Sequence, residues 1–427
     1  MNQFSIKENK TLKEKYYHTT LDCGLRITVI PKDLPNKFAF VCSNFGGADI
    51  QYEKDGKIFE LPAGTAHFLE HKMFECSDGS DAFLEFDRFG GNANAYTSFE
   101  NTCYYFSCTE NFFENLDVLL RAVSEIHISE ESVDKERKII EREIKMYEDL
   151  PSSIVNRNLY TALYHNHPTI YPISGTVESI ANITKSTLEQ AFDHFYSPDN
   201  LSLCVCGNIK PDEIKTFAEK YFSKNTLPRP KTHFPDEPKN VAQHQIETYS
   251  VVATPLYSIG IKCPPVENND KESFRKATAM RLAISLTFGR ASDFYCQNYE
   301  KGLLNERFYA GYSSSRNSAH IVISGSGNEY NQIFDLVIAE LKYRKKVFFT
   351  EEQLLREKKA AYAESITLFD SGEDLTAVAV SNAFYDYDEF DCIDILRDIS
   401  FDEVKNALCS IDLSNTSLSI VKSNERK

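Results

Sequence analysis

Hydrophobic and polar positions recur along this chain with two different periods, and the switches between them mark out its elements. Between residues 132 and 149, Val133, Ile140, Ile144 and Tyr147 fall at helical spacing among charged residues, which predicts an amphipathic helix packing on those four. Ala66, Leu69 and Met73 form a shorter stripe of the same period, and Pro62-Ala63-Gly64-Thr65 before them reads as a helix start. Period two governs the segment beginning at Ala93: Ala93, Ala95 and Thr97 share one side and Asn94, Tyr96 and Ser98 the other, as on a strand. Tyr104-Tyr105-Phe106 extends the strand reading, and the apolar run Leu201 to Val205 predicts a buried strand.

The pattern occurs twice. Thr184 to Phe192 reads as a capped helix, Ser197-Pro198-Asp199-Asn200 as a turn, and Leu201 to Val205 as the strand after it. Ser400 to Leu408 and Leu418 to Val421 repeat the helix and the strand about 216 residues later, which suggests a duplicated α+β unit. Between the copies, residues 224–243 carry Pro228, Pro230, Pro235 and Pro238 amid polar residues. Prolines lack the backbone donor and extend their predecessors, so this stretch predicts a linker. The expected organisation is a first domain over 1–223, the linker over 224–243 and a homologous second domain over 244–427.

With 427 residues and 42% apolar content, there is material for two packed cores. The 47 Lys and Arg against 63 Asp and Glu give a net charge of -16, which argues against nucleic acid and anionic membranes as partners. Residues 1–20 lack the apolar core of a signal peptide, and no run approaches the ~20 apolar residues a membrane span needs. The 11 cysteines are scattered without C-x-x-C spacing, so reduced core thiols in a cytoplasmic protein are expected.

The candidate chemistry sits in His67-Phe68-Leu69-Glu70-His71. Two histidines four apart on a helix face one way and can share a metal ion, with Glu70 on their side. Zinc takes imidazole nitrogen and carboxylate oxygen, and a catalytic site keeps three protein ligands and a fourth position for water. A carboxylate beside such a water can take its proton, and Glu70 is placed for that. The third ligand is sought on the 132–149 helix, where Glu143 comes first and Glu136, two turns earlier on the same side, second; Glu141 and Glu148 are rotated away. At the repeat offset, His67 and His71 fall on Ala283 and Thr287, inside a predicted helix from Phe274 to Thr287. The second half is therefore expected to lack a metal site.

Gly64-Thr65-Ala66-His67-Phe68-Leu69-Glu70-His71-Lys72-Met73-Phe74 resembles the active-site helix of the pitrilysin/insulinase family, in particular its short bacterial, YmfH-like branch. Gly91 to Thr97 with Glu100, Thr102 and Tyr104, the pair Glu136 and Glu143, and Phe195 to Asn200 with Cys206-Gly207-Asn208 extend the resemblance along nearly the whole chain. It implies an α+β fold of two homologous domains, each an antiparallel-rich sheet covered by helices, together forming half of a clamshell. It also implies one Zn2+ per chain on His67, His71 and Glu143, with Glu70 as catalytic base and Glu136 supporting catalysis beside it. The peptide substrate is expected to pair with an edge strand at Asn94 and Ala95. The activity implied is that of a zinc metalloendopeptidase acting on short or unfolded peptides, including a precursor; the alternative is a retired peptidase fold serving as a binding or assembly subunit.

One pair of positions departs from the family. Where self-sufficient members carry an Arg and a Tyr in the second half, this chain has Asp293 and Asn305, with Arg290 and Tyr309 nearby. The expected partner is therefore a non-catalytic paralogous chain in a heterodimer, a homodimer being the other arrangement. His165-Asn166-His167-Pro168 reads as a solvated loop rather than a second metal site, and 351–359 as a solvated helix face.

Overall fold

The computed structural model describes residues 3–54, 56–77, 79–222, 231–265 and 270–424. The chain divides into two compact units. The first holds 1–144, 171–233 and 366–390, and the second 145–170, 234–365 and 391–427. One of the crossings, after residue 233, falls within the proline-rich stretch. Pro228 and Pro230 lie outside the described residues. Farther along, Lys231–Thr232 pairs with Gln51–Lys54, and the largely buried Glu237 accepts from the amides of His165, Asn166 and His167.

The first unit is built on seven strands in the order Ser5–Asn9, Glu14–Thr20, Arg26–Pro31, Leu201–Gly207, Lys37–Ser43, Thr102–Cys108, Asn92–Thr97. Only Arg26–Pro31 and Leu201–Gly207 run parallel; the other neighbours are antiparallel. Burial follows position in the sheet. Leu201–Gly207 is buried at every residue, because both of its faces are covered, whereas the outermost strand Asn92–Thr97 alternates exposed and half-buried. On one face a core gathers Leu69, Leu116, Leu119, Val133, Ile140, Ile144, Leu188 and Phe195 from four helices. The other face carries the helix Gly372–Asn382, tied down by Ser202 Oγ donating to the Val380 carbonyl at 2.6 Å.

The second unit repeats this arrangement with five strands, ordered Gln245–Ser250, Thr416–Ser423, Leu256–Lys262, Ser318–Ser326, Tyr309–Ser315. Again one adjacent pair, Gln245–Ser250 with Thr416–Ser423, is parallel. The predicted repeat is present: helices Lys185–Phe195 and Phe401–Ser410 both open with capping boxes, on Thr184 and Ser400, and each leads into the strand beside its sheet's parallel partner. The helix Pro151–Leu163 covers this second sheet as Gly372–Asn382 covers the first. Gly260 makes room for it, since a Cβ there would lie 2.8–2.9 Å from Leu163 and Leu159. The two sheets have thus each received a helix from the opposite half of the sequence. The 11 cysteines are free thiols, seven of them buried, and no described helix is long and apolar enough to cross a membrane.

Candidate metal centre

The H-x-x-E-H segment forms the eight-residue helix Thr65–Lys72. It starts on Gly64, whose φ of 94° is left-handed and whose added Cβ would sit 2.5 Å from the Ser174 carbonyl, so glycine is required on both counts. Ala66, Leu69 and Met73 are buried as their spacing predicts. The opposite side meets the helix Glu130–Asp149, which is held to the core by Val133, Ile140 and Ile144. Tyr147 is the exception to the expected packing face: it is 46% exposed, because the stripe leaves the core in the last turn of that helix.

Three side chains converge between these helices. His67 Nε2 lies 3.5 Å from Glu143 Oε1, and His71 Nε2 lies 3.6 Å from Glu143 Oε2. The imidazole rings are 4.7 Å apart, and one donor atom from each of the three residues lies within 4.8 Å of the others. Two imidazole nitrogens and a carboxylate oxygen match what zinc accepts. Glu136 takes a different place. Its Oε1 is 3.0 Å from His71 Nδ1, which leaves Nε2 of that ring turned to Glu143. Sequence spacing ranks Glu143 ahead of Glu136; the structure separates them by which histidine nitrogen each meets. His67 Nδ1, by contrast, is buried and has no hydrogen-bond partner among the described residues.

The electrostatics follow this geometry. Burial alone would depress the His71 imidazolium, but the hydrogen bond and charge of Glu136, with Glu70 and Glu143 nearby, raise it above the ordinary histidine range. Glu143 is held below the usual carboxylate range by its hydrogen bond with His67, against partial burial.

Glu70, His71 and Glu136 line a cavity of about 720 Å³ together with Asn94, Ala95 and Phe74. Asn94 and Ala95 belong to the outermost strand, which pairs with Thr102–Cys108 on one side only, and the Asn94 side chain caps the Ala95 amide at 2.8 Å. One contact was not legible in the sequence: Thr97, at the end of that strand, donates from Oγ1 to Glu70 Oε2 at 2.5 Å. The period-two pattern places Thr97 on the side of Ala93 and Ala95 without saying what faces it.

The residues singled out in the second half have local partners. Asp293 opens the helix Asp293–Glu300 and lies 3.4 Å from Arg344, while Asn305 Nδ2 donates to the Ser326 carbonyl at 2.8 Å. Arg290 reaches the Glu306 carbonyl at 3.5 Å, and Tyr309 is exposed. The 165–168 loop differs from its solvated expectation at two residues, His167 and Pro168, which are both buried. His167 is fully buried, held by Thr169 Oγ1 and the Arg316 carbonyl at 3.0 Å each. At the positions matching His67 and His71, Ala283 and Thr287 are buried in the helix Lys271–Phe288.

Comparison with known proteins gives two family models, "Insulinase (Peptidase family M16)" over residues 55–177 and "Peptidase M16 inactive domain" over 182–361. A Bacillus subtilis protein named as the uncharacterized zinc protease YmfH is 31% identical over 407 residues, spanning 94% of this chain and 95% of that one. The beta subunit of the Caenorhabditis elegans mitochondrial-processing peptidase is 31% identical over 205 residues, 45% of this chain and 44% of its own. Among solved structures, a putative M16-like peptidase from Alicyclobacillus acidocaldarius superposes with a TM-score of 0.92 at 28% identity, covering 96% of this chain and 99% of that one.

Proposed function

The chain belongs to the insulinase family of zinc proteases, peptidase family M16, and from that premise we propose that it is a zinc-dependent metalloendopeptidase acting on short or unfolded peptides. The observation that carries this reading is a single cavity whose wall includes Glu70, His71 and Glu136 on one side and the edge strand at Asn94 and Ala95 on the other. A peptide bond laid along that strand meets the motif helix there.

In this reading His67, His71 and Glu143 hold one zinc ion per chain. Zinc, when bound, polarises a carbonyl and makes water acidic enough to lose a proton near pH 7. The rest falls to the chain's own residues. Glu70 accepts the proton and returns it to the leaving amine, as a general base and then acid. Glu136 fixes the His71 ring through Nδ1. The edge strand takes the peptide backbone by β-augmentation, for which the Asn94 carboxamide must release the Ala95 amide.

The first half is proposed as the catalytic domain and the second as its homologue without a metal site, within a protein of the cytoplasm. Asp293 and Asn305 are engaged within their own unit, which favours a paralogous chain as the partner that completes peptide binding; a matched relative is itself named as a subunit.

The test is hydrolysis of quenched, unstructured peptides by the zinc-loaded protein, with Glu70→Gln as the blank. Cleavage that disappears in the blank supports the proposal. Silence in both, with zinc bound and with the paralogous chain supplied, would instead favour the retired binding subunit.

A further inference from the structure

A carboxylate base has two oxygens, and the fold has committed one of those on Glu70. Thr97 Oγ1 donates to Oε2 at 2.5 Å. A threonine hydroxyl has one proton to give. The other neighbour of Thr97, Thr102 Oγ1 at 3.4 Å, does not compete for it, because Thr102 directs its own proton to the Phe45 carbonyl at 2.9 Å. Thr102 is fully buried and pairs directly with Thr97 across the two strands, so the donor has a fixed footing.

We propose that Thr97 is a positioning residue: it pins Glu70 Oε2, leaves Oε1 as the oxygen that moves the proton, and joins the base to the strand that receives the peptide. This rests on the peptidase reading of the same site. Two features make the contact consequential. The helix Thr65–Lys72 holds the Glu70 backbone, with the Met73 amide on the Glu70 carbonyl, but that leaves the carboxylate to be placed by a side-chain donor such as Thr97. Thr97 also lies two residues after Ala95 on the same half-buried side of the strand, so whatever displaces the strand displaces the donor. A strand shifted outward by a badly fitting peptide would release Glu70, and a well-paired one would hold it in place.

Two substitutions and two readouts test this. Thr97→Val keeps the shape and removes the donor, whereas Thr97→Ser keeps the donor. Misplacing a catalytic group by about 1 Å can cost ~100-fold, so Thr97→Val is expected to lower kcat by about 10- to 100-fold. KM should stay within about threefold, zinc content should be unchanged, and Thr97→Ser should recover most of the loss. An unchanged kcat in Thr97→Val, or a serine variant as slow as the valine one, would overturn the proposal. The second readout needs no activity: in a crystal structure of metal-free Thr97→Val, the Glu70 carboxylate should leave its position while His67, His71 and Glu143 keep theirs. A Glu70 that stays put refutes the inference even if the unaltered protein cleaves nothing, an outcome that would count against the peptidase reading alone.

Discussion

The two halves of this protein share the order of five strands and an offset of about 216 residues, yet they treat the same helix position in opposite ways. In the second half, Lys271–Phe288 is 18 residues long, is capped by Asp270, and packs Ala279, Leu282, Ala283 and Ile284 into the core. In the first half, Thr65–Lys72 is eight residues long, has no side-chain cap, and turns His67, Glu70 and His71 toward a cavity and a second helix of mixed charge. The architecture therefore does not depend on the cluster of His67, His71 and Glu143. The second copy spends the position on packing, whereas the first presents His67 and His71 to Glu143 and Glu136 on the neighbouring helix. A fold can carry such a site because the strands around it are already secured.

This contrast can be broken at graded cost. The largest effect belongs to Glu70→Gln, expected to lower kcat by about 10²- to 10⁴-fold while zinc stays bound; Thr287→Ala at the matching region of the other half should leave kcat unaltered, both read by steady-state kinetics. Next come two buried titrating groups of opposite sign. Burial lowers His320 in the second unit to about 4, from an unfolded value near 6.5. The folded form excludes a proton that the unfolded chain accepts, so stability is lost as pH falls from 6.5 toward 4, by at most about 3 kcal/mol. In the first unit, burial raises Glu389 to about 7, so stability is lost as pH rises from about 4.5 through 7, by a similar amount. Denaturant melts of His320→Gln and Glu389→Gln across pH 4–8 should each flatten one of these limbs, and parallel curves would refute the assignment.

Exchanging the roles of the matched positions gives a smaller effect. Ala283 is fully buried, so Ala283→His should cost about 1–3 kcal/mol through overpacking. His67→Ala in metal-free protein should cost less, since it removes a ring whose Nδ1 is buried without a hydrogen-bond partner among the described residues. Calorimetry of the two variants decides which position is structural. The smallest effect is expected from Glu136→Gln, which loosens His71 without removing a ligand: about tenfold in zinc affinity by competition with a chelating dye.

Much of this was legible because it is periodic. The repeat, the buried strand at 201–205 and the core positions Val133, Ile140 and Ile144 follow from spacing, and spacing also put Glu136 and Glu143 on one side of one helix. Its limits are physical. A period says which face is buried but not against what, so nothing in 151–163 or 372–382 announces that these helices cover the sheet of the opposite half. It cannot say where a helix end leaves the core, which is why Tyr147 is exposed. Nor does it see hydrogen bonds between distant residues, and the burial of His167 and the grip of Thr97 on Glu70 both depend on such bonds.

The central claim, that one half holds the metal and the other only the scaffold, is tested most directly by equilibrium zinc titration of the metal-free chain. The account requires one tight site per chain, abolished by His67→Ala or Glu143→Ala and untouched by Thr287→Ala. A second tight site, or one that survives both ligand substitutions, would contradict it.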